Sequence, residues 1–267
     1  MTSLKPVTLT TLREMKRRGE KIACLTAYDA SFARLLDEAG VELLMVGDSL
    51  GMVIQGHDST LPVTVADMIY HTRNVRRGAR RAFVVTDMPF MSYASPAQAV
   101  GNAARILQEG GAQMVKLEGG AWLAETVREL SVRGIPVCAH LGLLPQSVHQ
   151  LGGYRVQGRD PASAQTLLDD AKSLEEAGAS LLLLESVPAT LAAEVTRHAP
   201  APVIGIGAGA QTDGQILVLH DLLGVTEKPP KFAKNFLADA AGIRAAVQDY
   251  IQAVKSGHFP SAEHTFT

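Results

Sequence analysis

The sequence predicts a single (β/α)8 barrel of the TIM type, with one extra helix at its N-terminus. Three observations predict it. Eight strand-sized apolar runs alternate with helix-like segments nearly from end to end. Most of those runs are continuously apolar, as in strands buried on both faces. The 267 residues match the usual length of one such barrel, and no Pro/Gly/Ser-rich linker divides 1–267. An open doubly wound sheet is the alternative architecture.

The extra helix comes first, where Thr11-Leu-Arg-Glu14 has capping-box spacing. The strands are then expected at Ile22–Ala27, Leu43–Gly47, Ala82–Thr86, Met114–Leu117, Pro136–Ala139, Ser180–Leu184, Pro202–Ile206 and Ile216–Leu219. Between them, amphipathic spacing predicts helices at Ser31–Ala39, Thr64–Arg77, Ala97–Glu109, Leu123–Arg133, Ala162–Ala177 and Leu237–Val254. Ser95-Pro96 and Asp160-Pro161 each put a capping residue before a proline at the first helical position. Gly40, Gly78, Gly110, Gly134 and Gly178 follow helical segments and suit left-handed stops. The link between the seventh and eighth runs is near the minimum for a crossover, so the seventh helix is expected to shrink to a turn.

Composition excludes several classes. The hydrophobic fraction is 46%, the charged fraction 19% and the formal net charge −2, so nothing marks a nucleic-acid or membrane binder. The apolar runs are far shorter than a bilayer span. The start, Met1–Thr10, lacks a charged segment followed by an apolar core, so no leader is expected. Cys24 and Cys138 lie in apolar runs and are expected as buried free thiols, which suits a cytoplasmic protein.

In a barrel, chemistry collects where strands run into the loops that follow them. Polar residues recur there: Asp48, Asp87, Lys116 with Glu118, His140 and Glu185. Asp48, Asp87 and Glu118 form an oxygen-only set that suits a hard cation, Mg2+ above all. Helix caps or salt bridges are the competing reading of each acid alone. Lys116 lies two residues before Glu118, so both side chains share a strand face, and its ammonium could hold a substrate carboxylate. Glu185 ends a run of four leucines, where partial burial suits a carboxylate to general-base work. His140 could bind substrate or serve the structure alone. Gly205-Ile-Gly-Ala-Gly209 reads as tight turns more than as a phosphate cradle. The run Arg73, Arg76, Arg77, Arg80 and Arg81 reads as a solvated helix face and its exit.

Taken together, the motifs identify a resemblance. Leu25-Thr-Ala-Tyr-Asp29, Val46-Gly-Asp-Ser-Leu-Gly-Met52, Thr60-Leu-Pro-Val-Thr64, Asp87-Met-Pro-Phe-Met-Ser-Tyr93, Val115-Lys-Leu-Glu-Gly-Gly120, His140-Leu-Gly-Leu-Leu-Pro-Gln146, Ile206-Gly-Ala-Gly209, Asp213-Gly-Gln215 and Lys228-Pro-Pro-Lys-Phe232 stand in order along the chain. The chain resembles the ketopantoate hydroxymethyltransferases. The resemblance implies a TIM barrel with Mg2+ held through Asp48 and Asp87 and with Glu118 close by. It implies that Asp48, Ser49, Asp87 and Lys116 bind a 2-oxo acid, 3-methyl-2-oxobutanoate, and that Glu185 accepts a proton. The implied reaction adds a one-carbon unit from 5,10-methylenetetrahydrofolate through a Mg2+-stabilised enolate. A large homo-oligomer, commonly a decamer, is implied as well. A Mg2+ barrel of the isocitrate lyase and phosphonomutase type is the nearest rival, but its Lys-Lys-Cys-Gly-His loop is absent from the sequence. A non-catalytic, ligand-binding barrel is the rival from another class.

Overall fold

The computed structural model describes residues 5–267; the first residues read for a leader, 1–4, lie outside the described residues. Helix α1 (Leu9–Arg17) precedes the barrel. Its cap is Thr8, which forms the capping box with Thr11, so the predicted box lies one turn too late. The strands follow as β1 (Ile22–Thr26), β2 (Leu43–Val46), β3 (Phe83–Asp87), β4 (Met114–Glu118), β5 (Val137–Gly142), β6 (Leu181–Glu185), β7 (Val203–Ile206) and β8 (Gly214–Leu217). They close in sequence order, every neighbouring pair parallel, with β8 paired back to β1. The open sheet is therefore excluded.

The surrounding helices are α2 (Ala30–Ala39), the short α3 (Leu50–Val53), α4 (Val65–Gly78), α5 (Pro96–Arg105), α6 (Ala124–Ser131), the short α7 (Val148–Leu151), α8 (Pro161–Glu176), α9 (Ala189–His198), the short α10 (Leu219–Leu222) and α11 (Ile243–Lys255). Ser95 and Asp160 cap α5 and α8 as expected, with proline in the first turn. Helix α5 runs on into a π turn, Ile106–Gly110. Helix α9 was not foreseen, and α11 starts six residues later than Leu237.

Gly40, Gly134 and Gly178 are left-handed stops. Gly78 is not one: it stays helical, and a Cβ there would strike the Ala30 carbonyl. Its role is to let α4 pack against α2. Gly110 also stays inside its turn, and Gly111 makes the stop.

No helix joins β7 to β8, as expected. Gly207 (φ 61°) and Gly209 (φ 77°) turn the chain there, and a Cβ on Gly207 would lie 2.8 Å from Phe232. Close approach by other side chains explains these glycines, in line with the tight-turn reading. Strand β8 begins at Gly214, two residues before the expected start, and Leu219 already belongs to α10.

Along β4, β5, β6 and β7, alternation divides the strand residues between two apolar clusters. Met114, Cys138, Leu181, Leu183, Ile204 and Ile216 fall in one apolar cluster. Val115, Leu117, Val137, Leu182, Leu184 and Val203 fall in the other, against the outer helices. Both cysteines are free and buried. Among the described residues no helix is long and apolar enough to cross a membrane. Arg73, Arg76 and Arg81 do not simply face solvent: they donate to Glu109 O, Gln113 Oε1 and Val41 O.

Candidate active site

Strands β3, β4 and β6 each run one residue further than their apolar runs suggested, so Asp87, Glu118 and Glu185 are their last residues. The pleat turns Lys116 and Glu118 to the same side of β4. Register then places Asp87 beside Lys116 and Glu118 beside His140. A cavity of about 610 Å3 opens over this rim. Ser49, Asp87, Lys116, Glu118, His140 and Glu185 line it. A second hollow of about 680 Å3 between α8 and α9 holds none of them.

Lys116 is the hub. Its Nζ lies 3.2 Å from Asp87 Oδ2, 3.1 Å from Glu118 Oε1 and 3.2 Å from His140 Nδ1. Burial alone would drive the ammonium toward neutrality, but Asp87, Glu118 and Asp48 together raise it well above the usual lysine range. It is therefore a permanent cation. Facing it, His140 Nδ1 is set to accept a hydrogen bond, which assigns the ring proton to Nε2. That nitrogen lies 3.3 Å from Glu185 Oε2.

Asp48 and Asp87 are brought together. The Asp48 backbone N–H donates to Asp87 Oδ2 at 3.0 Å. Beside it, a Cβ on Gly47 would lie 2.7 Å from Ser49 Oγ. Asp48 itself lies just behind the cavity wall, which Gly47 and Ser49 form on either side of it. Ser49 Oγ shares a hydrogen bond of 2.8 Å with Tyr28. Burial, and then the charges of Asp87 and Glu118, push the Asp48 carboxyl well above the usual range. Burial also raises Asp87, against the pull of Lys116.

Glu118 behaves differently. Burial opposes its ionisation, but Lys116, helped by the Gln146 backbone N–H, outweighs burial and holds it down at about 2. Its Oε1 meets Lys116 and its Oε2 accepts the Gln146 backbone N–H at 3.0 Å. Among the described residues no group of three His, Cys, Asp or Glu side chains is arranged to hold a metal ion. The three-acid set of the sequence therefore resolves into the Asp48–Asp87 pair, with Glu118 already engaged beside it.

The pair fits a hard cation on two grounds. Three buried carboxyl groups crowd one ammonium, so Asp48 and Asp87 resist ionising until a further cation joins them, and Asp87 Oδ1 is buried without a hydrogen-bond partner. Glu185 stands apart from these groups. Its side chain is 14% exposed, against 2–4% for Asp87, Lys116, Glu118 and His140, so it is the more open of these acids.

Two contributors escaped the sequence reading. Gln146 donates from Nε2 to Asp48 Oδ2 at 2.7 Å, and Tyr93 donates to Gln146 Oε1 at 2.5 Å. Both residues sit in the quoted motifs, but as neutral side chains they offer no charge signal.

The family model for ketopantoate hydroxymethyltransferase matches residues 6–262. The 3-methyl-2-oxobutanoate hydroxymethyltransferase 2 of Hahella chejuensis is 60% identical over 261 residues, covering 97% of this chain and 98% of the relative. The 3-methyl-2-oxobutanoate hydroxymethyltransferase of Shewanella loihica is 59% identical over 265 residues, covering 99% and 100%. Among solved structures, a putative phosphonomutase from Burkholderia cenocepacia J2315 superposes with a TM-score of 0.64 at 17% identity, covering 81% of this chain and 93% of that one. A 2,3-dimethylmalate lyase of the PEP mutase/isocitrate lyase superfamily gives 0.58 at 18%, covering 81% and 83%. At such identities the likeness concerns the fold alone. With the family model spanning nearly the whole length and the relatives close to 60% identical, the chain belongs to the ketopantoate hydroxymethyltransferase family.

Proposed function

We propose that the chain transfers a hydroxymethyl group from 5,10-methylenetetrahydrofolate to 3-methyl-2-oxobutanoate, giving 2-dehydropantoate and tetrahydrofolate. The observation that carries this reading is the acid-rich rim around Lys116 with a more exposed carboxylate, Glu185, on the same cavity. The close relatives, named for this reaction, supply the substrates. The isocitrate lyase and phosphonomutase alternative rests on fold likeness only.

Asp48 and Asp87 are the residues to hold Mg2+, and when bound the ion supplies a Lewis acid that polarises the 2-oxo group and makes the neighbouring C3–H bond acidic. Lys116 attracts the substrate carboxylate and so orients C3. Glu118 serves by holding Lys116 in place. Glu185 takes the C3 proton, and its open position lets it reach a substrate lying in the cavity. His140 Nε2 stands 3.3 Å from Glu185 but makes no hydrogen bond to it, which leaves it to meet the substrate. The C3 electron pair then forms the new C–C bond to the folate methylene carbon. Both bonds from that carbon to the folate nitrogens N5 and N10 break, each nitrogen gains a proton, one drawn from C3 and one from water, and the remaining hydroxide of that water supplies the product hydroxyl.

We further infer a cytoplasmic enzyme that assembles as a homo-oligomer, a decamer on the family pattern. Exposed Tyr70, Phe90, Met91 and Trp122 offer apolar surface for such contacts.

Proton NMR of 3-methyl-2-oxobutanoate in deuterated water tests the reading. The expected result is loss of the C3–H signal with enzyme and Mg2+ alone, and product only once the folate is added. Product formation without C3 exchange in a folate-independent reaction would refute it.

A further inference from the structure

Gln146 has an unusual set of partners. Its side-chain Nε2 donates to Asp48 Oδ2 at 2.7 Å and to the Met88 carbonyl at 3.0 Å. Its Oε1 accepts from Tyr93. Its backbone N–H donates to Glu118 Oε2. One residue from the loop after β5 therefore binds groups at the ends of β2, β3 and β4.

The orientation of the amide follows from its partners. A carboxylate and a carbonyl can only accept, so both must face the NH2 end. Tyr93 O–H faces the other end and donates to Oε1. The Tyr93 oxygen also sits 3.3 Å from the Glu118 carbonyl and 3.4 Å from its backbone nitrogen, which ties the phenol to β4. Flipping the amide would set its oxygen against Asp48 and its NH2 against the donating phenol. Gln146 and Tyr93 are both buried, so water cannot readily replace these bonds.

We propose that Gln146, braced by Tyr93, is a positioning residue that aims the Asp48 carboxylate at the divalent cation. Occupying Oδ2 turns Oδ1 into the oxygen presented to the ion, with Asp87 Oδ1 as its unbonded counterpart. Without the amide, Asp48 has no neutral donor to hold its rotamer among like charges. The backbone bond to Glu118 keeps the Lys116 side of the site aligned with the Asp48 side. This inference rests on the reading of Asp48 and Asp87 as the cation-holding pair.

The test is Mn2+ binding followed by electron paramagnetic resonance, with neither substrate present, on the wild type, Gln146→Met and Tyr93→Phe. Met has a similar length and no polar head, while Phe removes only the brace. The expected result is about a tenfold or greater loss of Mn2+ affinity in Gln146→Met, the size typical of residues that orient ligands. A smaller loss is expected in Tyr93→Phe. Turnover adds a second readout: kcat of Gln146→Met should recover at saturating Mg2+, because Lys116 and Glu185 are intact. Wild-type affinity in both variants would overturn this proposal alone, as would a kcat that excess Mg2+ fails to restore. A wild-type protein that binds no Mn2+ would sink the cation-holding reading and this proposal with it.

Discussion

Replacing Lys116 by Met would remove the one ammonium among the three rim acids while keeping much of its apolar bulk. Its Nζ lies 3.2 Å from Asp87 and 3.1 Å from Glu118, with both pairs almost fully buried. Taking one partner from a buried ion pair costs about 3–5 kcal/mol, because the stranded charge keeps its desolvation penalty. At ~2 °C per kcal/mol for a chain of this length, the midpoint should fall by roughly 6–10 °C near neutral pH. The deficit should shrink in acid. Glu118 is held at about 2 in the wild type, below its unfolded value of ~4.3. Its stabilising contribution is therefore present above ~4.3 and is lost as pH falls toward about 2. Lys116, raised in the fold, contributes fully below ~10.4, so it adds no slope across this acid range. Mg2+ should raise the midpoint of the variant more than that of the wild type, since the ion then relieves a larger excess of negative charge. Differential scanning calorimetry at neutral pH and at pH ~3, with and without Mg2+, reads all three effects. A neutral-pH midpoint within ~2 °C of the wild type would refute the claim that Lys116 compensates these acids.

Three other outcomes follow from the geometry. Glu185→Gln should slow solvent exchange at C3 by ~10²–10⁴-fold, the worth of a positioned general base, while Mg2+ and oxo-acid binding stay nearly unchanged; normal exchange by NMR would remove Glu185 from that role. Asp87→Ala should weaken Mg2+ and oxo-acid binding together, by more than the ~10–100-fold typical of a supporting residue, as read by titration calorimetry. Far from the cavity, Asp37 accepts the backbone N–H groups of Arg80, Arg81 and Ala82. Asp37→Ala should therefore cost about 3 kcal/mol, or ~6 °C, while activity is retained.

Much of the barrel was legible because its signals are local. A strand covered on both faces must be apolar throughout, so all eight could be read from runs alone, and the order of alternation implied the topology. Strand β8 slipped by two residues because Gly214-Gln215 looks like turn sequence; Gln215 is instead buried and satisfied by Gly209 O and Thr212 Oγ1. Helix α9 was missed because it has no side-chain cap and follows a proline. Asp48, Asp87, Lys116, Glu118, His140 and Glu185 were readable as charged or titratable groups at strand ends. Their division of labour was not. Parallel register set Lys116 between Asp87 and Glu118, the loop after β5 engaged the second oxygen of Glu118, and Glu185 was left more exposed than Asp87 or Glu118. Gln146 lies 98 residues from the carboxylate it holds, and a neutral amide shows its purpose only through the partners that closing the barrel brings to it.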